Sequence, residues 1–152
     1  VDLSAGTMLD DSIQAAYTLI AHTNELPTLF VGYSLGCFVS MQLLSNIWRI
    51  PSLLNPDRIL LVNGMHTGDL LVSHFRLFSS LLGCTVAPHV AQSSVPITIL
   101  HALDDKTVPF REAESLKRHC DQVGRDVELI PCQGTHSAYI LDTVISKRIS
   151  EL

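Results

Sequence analysis

A chain of 152 residues and 16.7 kDa, 47% hydrophobic and 16% charged, holds enough apolar material for one buried core and excludes a disordered segment. Its formal net charge of -5, with Lys and Arg scattered apart from Lys117-Arg118, excludes a basic surface for nucleic acid or anionic membrane. Cys37, Cys84, Cys120 and Cys132 make no C-x-x-C pair, which fits a reducing, cytoplasmic setting, and no charged stretch followed by an apolar run marks a signal peptide.

Val1-Asp2-Leu3 reads as the tail of a strand. Over 8–22, Leu9, Ile13, Ala16, Tyr17 and Ile20 fall on one stripe of a helix. Asp10 and Asp11 are expected in its first turn, where negative charge suits the dipole. A loop over 24–27 then leads into Thr28-Leu29-Phe30-Val31-Gly32-Tyr33-Ser34-Leu35-Gly36-Cys37-Phe38-Val39. This stretch reads as a buried strand, a tight turn and a helix, with Ser34 at the apex of a G-x-S-x-G pattern. Such a turn lifts a serine out of the sheet on a strained elbow, and the small residues around it let strand and helix pass closely. The first turn of the helix presents unpaired N–H groups beside the hydroxyl, a place for developing negative charge. The blander alternative is a serine that only caps its helix.

No charged residue stands between Glu25 and Arg49, a length that could span a bilayer. Pro27, Gly32, Ser34, Gly36, Ser40, Gln42, Ser45 and Asn46 make that span too polar, and strand-then-helix burial explains the missing charge. No transmembrane segment is expected.

The helix after Ser34 extends to about residue 46, with Cys37, Met41, Leu44 and Trp48 on one face. Pro51, Asn55 and Pro56 mark a surface connection, and Arg58–Val62 is a continuous apolar run closed by Asn63-Gly64. Such runs arise in a parallel sheet covered on both faces. Segment 65–95 contains a helical period over 69–82, stopped by Gly83, and reads either as a small lid or as a crossover helix with a long exit loop. A strand follows over 96–100, then the loop His101-Ala102-Leu103-Asp104-Asp105. A helix over 110–123 buries Ala113, Leu116, Cys120 and Val123, pairs Glu114 with Arg118, and closes at Gly124. A strand over 127–130, a loop over 131–137 and a helix over 138–149 complete the chain. Strand and helix alternate throughout, which predicts one α/β domain over 1–152, a doubly wound, mostly parallel sheet with helices on both faces.

In such a sheet ligands bind beyond the carboxyl ends of the strands. Ser34, Asp104 or Asp105, and His136 each follow a predicted strand and so fall on that edge. A serine hydroxyl needs a base, and an imidazole with an ordinary pKa of about 6.5 can take and return its proton. The imidazole in turn needs a carboxylate to fix its tautomer. The remaining histidines lack metal-binding spacing, so no metal or cofactor is expected. His22 suits a helix C-terminus, and His66 follows a strand end, where it is the one of the rest best placed to line the cleft. His74, His89, His101 and His119 read as surface or core residues.

Gly32-Tyr33-Ser34-Leu35-Gly36, Asp105-Lys106-Thr107-Val108-Pro109 and Gly134-Thr135-His136, in the order Ser, Asp, His, resemble the α/β-hydrolase superfamily and its esterase, thioesterase and lipase-like members. The resemblance implies Ser34 as nucleophile, His136 as general base and then acid, Asp105 rather than Asp104 as orienting acid, and the Leu35 N–H as an oxyanion donor. It implies a serine hydrolase acting on a small-molecule ester or thioester. Two departures stand out: Ala102 where many relatives carry Gly, and Cys37 in place of a second Gly after the elbow, which implies a looser approach there. A complete domain of this kind begins with further strands, one of whose loops supplies a second oxyanion donor. The expectation is therefore a domain incomplete at its N-terminus, associating with a missing N-terminal segment or a second chain. The alternative function is a hydrolase-fold binding or scaffold protein without activity. A nucleotide-binding domain is disfavoured by the absence of G-x-x-x-x-G-K-[ST] and G-x-G-x-x-G.

Overall fold

A computed structural model describes residues 5–23, 29–45, 56–64, 88, 90, 93–136, 146 and 147 of the chain. Four short aliphatic runs become strands β1 (Leu29–Tyr33), β2 (Arg58–Val62), β3 (Ile97–Ala102) and β4 (Glu128–Cys132). They pair in parallel in the order β1-β2-β3-β4. The helices are α1 (Ala5–Thr23), α2 (Leu35–Ser45) and α3 (Arg111–Gln122). The expected α/β architecture with a parallel sheet is what the chain adopts.

The two faces of the sheet form separate cores. Phe30, Ile59, Leu61, Ile97, Ile99 and Leu129 point to one face, where Cys37, Phe38 and Met41 of α2 and Ala113, Leu116 and Cys120 of α3 cover them. Both helices share a face because right-handed crossovers that advance the same way along a sheet return on the same side. On the opposite face Leu60, Val62, Leu100 and Ala102 are also buried. Sheet strands with both faces covered read as unbroken apolar runs, and β3 is buried along its full length.

Several local expectations change. α1 starts at Ala5, before its apolar stripe begins, so Asp10 and Asp11 lie beyond the first turn. Tyr17, expected on the buried stripe, is exposed, and α1 packs on α2. β1 is only half-buried: among the described residues it pairs with β2 alone, and Val31 stands 44% exposed. β3 runs on through His101 and Ala102, which the sequence places in a loop, because both residues stay in register with Pro131 and Cys132 of β4. β4 can hold Pro131 because the Leu103 N–H donates to the Cys132 carbonyl, so the neighbouring Pro131 turns its donor-less nitrogen away from β3.

α3 ends at Gln122. Val123 is its C-cap and is exposed rather than buried, and Gly124 follows at φ +72°. The i, i+4 ion pair on α3 is Lys117–Asp121, not Glu114–Arg118. The predicted strand tail at 1–3, the predicted helix over 69–82, and most of the 65–95 lid and of the predicted helix over 138–149 lie outside the described residues, residues 146 and 147 of the last being helical. So do His66, His74, His89 and Cys84.

Candidate active site

Parallel strands all end at one edge, and that edge gathers the chemistry-bearing residues. Ser34 directly follows β1, Asn63 follows β2, Asp105 lies three residues past β3, and His136 four past β4.

Ser34 adopts φ +51°, a left-handed conformation that a non-glycine residue enters only when its surroundings hold it there. Its N–H donates to the Val62 carbonyl at 2.9 Å, and its carbonyl accepts from the Cys37 N–H at 3.1 Å to begin α2. The turn depends on Gly32. A Cβ there would stand 2.7 Å from Cys37 Cα and 2.8 Å from the Gly36 oxygen, both backbone atoms. A Cβ at Gly36 meets no described atom, so only one of the two flanking glycines is sterically required.

Cys37 does not loosen the approach, contrary to expectation. Its thiol lies 3.0 Å from the Gly32 carbonyl and fills space that a Cβ on Gly64 would occupy. Burial pushes that thiol up to about 12, so it stays protonated and inert.

Ser34 Oγ, His136 and Asp105 form one hydrogen-bonded line. His136 Nε2 lies 3.1 Å from Oγ, and Nδ1 lies 2.6 Å from Asp105 Oδ2. Asp105 is buried, and its Oδ1 accepts the N–H groups of Thr107 and Val108, each at 2.8 Å. A carboxylate acceptor obliges Nδ1 to carry the ring proton, which leaves Nε2 to accept from Oγ. The His136 side chain is 21% exposed and Ser34 is partly exposed, so the line is open at its serine end. Asp104 is exposed, and among the described residues only its backbone N–H is engaged, with the Gly134 carbonyl. Leu35 is the first residue of α2, where helix geometry leaves the N–H without an intrahelical partner.

Three residues join the site that sequence reasoning did not select. The Tyr33 hydroxyl donates to the His136 carbonyl, and its ring centroid lies 5.3 Å from that of the imidazole. Burial, and then the negative charge of Asp105, raise the Tyr33 phenol above its ordinary range. Asn63 donates from Nδ2 to the same carbonyl at 3.4 Å. His101, fully buried, donates Nε2–H to the Val108 carbonyl at 2.8 Å and lies 3.8 Å from Asp105 Oδ2. Burial pushes the His101 imidazole below its ordinary range, favouring the neutral ring. Asn63 carried a signal, since it closes an apolar strand at the catalytic edge of such sheets, but turn chemistry alone explains an Asn-Gly pair equally well.

Among the described residues, no cluster of three or more His, Cys, Asp or Glu side chains is placed to hold a metal ion. No helix among them is long and apolar enough to cross a membrane.

By sequence the chain matches no protein-family model and no curated protein. Its structure is similar to that of esterase PE8, with TM-score 0.64 and 22% identity over 97% of this chain. It is similar as well to an acylaminoacyl peptidase of Pyrococcus horikoshii (TM-score 0.66, 12% identity, 94% of this chain). A third likeness is to the capsule O-acetyltransferase of Neisseria meningitidis serogroup A (TM-score 0.66, 14% identity, 92% of this chain). The chain spans 62%, 25% and 64% of those three proteins, respectively. The parallel sheet, its strand order and these likenesses together identify the architecture: the chain has the α/β-hydrolase fold.

Proposed function

We propose that the chain belongs to a serine hydrolase that cleaves a small-molecule carboxylic ester or thioester through an acyl-enzyme on Ser34. The observation that carries this reading is the unbroken line from Asp105 through His136 to Ser34, open at the serine end. As Oγ attacks the carbonyl carbon, Nε2 takes the hydroxyl proton, and the Asp105 carboxylate stabilises the resulting imidazolium. The Leu35 N–H and the positive end of α2 receive the charge that develops on the carbonyl oxygen. Collapse of the adduct breaks the bond to the leaving oxygen or sulfur, which takes the proton from Nε2. Water then gives a proton to the same nitrogen and attacks the acyl carbon, and release of the acid restores Ser34. A preceding segment or a second chain would supply the second oxyanion donor and pair with the side of β1 that has no strand partner among the described residues.

A fluorophosphonate probe tests the reading. Expected is labelling of Ser34 in the folded wild type, none in Ser34→Ala, and a loss of about 10⁴ to 10⁶ in turnover of a chromogenic acetyl ester in that variant. A folded protein that takes up no probe overturns the hydrolase reading. Ester-induced thermal stabilisation without an acyl burst would instead identify a binding module.

A further inference from the structure

The carbonyl oxygen of His136 receives donors from the ends of two other strands, the hydroxyl of Tyr33, the last residue of β1, and the carboxamide of Asn63, which follows β2. Asn63 is the more constrained of the two. It is wholly buried at φ +48°, a conformation that asparagine tolerates better than most residues, and its backbone N–H is engaged by the Leu100 carbonyl at 2.9 Å. Its side-chain oxygen accepts the Ala102 N–H at 2.9 Å. Only an oxygen can accept from that N–H, and only the amide nitrogen can donate to the His136 carbonyl, so both contacts demand the same amide orientation.

The carboxamide therefore bridges two loops that must meet. Its Oδ1 end grips the last residue of β3, from which the turn carrying Asp105 departs, and its Nδ2 end grips the residue that carries the imidazole. A shift of either loop would open the Nδ1 to Oδ2 or the Nε2 to Oγ contact. We infer that Asn63 is a positioning residue for the His136 imidazole, spacing the His136 loop from the Asp105 loop, with Tyr33 as the second hold on the same carbonyl. This rests on the proposed role of His136 as base. Asn63 touches no reacting atom in this arrangement and acts only through the ring it places.

The test uses Asn63→Asp, Tyr33→Phe and the double variant. Asn63→Asp keeps the oxygen for the Ala102 N–H and the tolerance of positive φ, but turns an acceptor toward the His136 carbonyl. Expected is a fall of about 10- to 100-fold in the probe-labelling rate of folded protein, the scale of a misplaced catalytic group. The double variant should depart from the product of the single effects, since both residues hold one oxygen. The second readout is the imidazole resonance of His136: the Nδ1–H proton shared with Asp105 should exchange faster in Asn63→Asp. A brace that serves stability alone would lower the unfolding midpoint and leave both readouts at wild-type values, which overturns the inference. If Asn63→Asp does not fold, Asn63→Gly, which suits φ +48°, carries the same test. If the wild type takes no probe, the hydrolase reading fails, and the imidazole resonance alone decides the positioning claim.

Discussion

Asp105 meets His136 with one carboxylate oxygen and holds its own turn with the other. Oδ2 lies 2.6 Å from Nδ1, while Oδ1 accepts the Thr107 and Val108 N–H groups at 2.8 Å. The carboxylate cannot rotate without breaking two bonds, so its plane is set before the ring arrives.

This division of labour predicts the outcome of Asp105→Asn. The amide oxygen can keep both turn contacts, which places its NH₂ group against Nδ1. The ring then adopts the opposite tautomer and presents Nε2–H to Ser34, with no lone pair for the hydroxyl proton. Expected is a loss of about 10⁴-fold in kcat with the fold retained. Asp104→Asn, at an exposed position bonded among the described residues only through its backbone, should leave kcat unchanged. Equal losses in the two variants, read by ester turnover, would remove Asp105 from its assigned role.

The two glycines of the elbow should respond oppositely. Gly32→Ala drives a methyl into the backbone of Cys37 and Gly36, which cannot give way as a side chain would, and should cost about 1–3 kcal/mol or more in unfolding free energy. Gly36→Ala meets no described atom and sits in a helix, where alanine is favoured by about 0.5–1 kcal/mol. Urea midpoints of the two variants check this, and a tolerated Gly32→Ala would contradict the close packing under Ser34.

Cys37 should be silent to alkylation. Its thiol is buried against the Gly32 carbonyl and held protonated to about 12, so iodoacetamide at pH 8 should modify it only after unfolding. Peptide mass mapping of folded and denatured protein gives the comparison. Rapid modification of Cys37 in the folded state would mean that the elbow opens readily.

His101 should make the protein sensitive to mild acid. Its folded pKa lies below the ordinary 6.5, so below that pH the unfolded chain binds a proton that the folded chain refuses. Stability should therefore be indifferent to His101 above about pH 6.5 and fall as pH drops from there toward the lowered folded value. His101→Gln, which can still donate to the Val108 carbonyl, should flatten this decline. Urea midpoints at pH 7.5 and 5.5 for both proteins measure it. An unchanged slope would mean that His101 titrates normally in the fold.

The parallel α/β architecture, the limits of β2 and the tight turn at Ser34 were all readable from the chain, because each depends on residues within a few positions of one another. Apolar runs without alternation announce strands covered on both faces, and G-x-S-x-G announces a turn. The ends of β3 and β4 were not readable in the same way. His101, Ala102, Pro131 and Cys132 become strand only because each pair finds the other in register. Asp104 and Asp105 are neighbours of the same type, and what separates them is which one the turn buries against His136. Tyr33, Asn63 and His101 matter through bonds to carbonyls at His136 and Val108, and a carbonyl leaves no mark on the amino-acid sequence. The bond from Asn63 spans 73 residues and exists because parallel strands end together at one edge. Local patterning determined the parts and their order, whereas strand register determined which side chains meet.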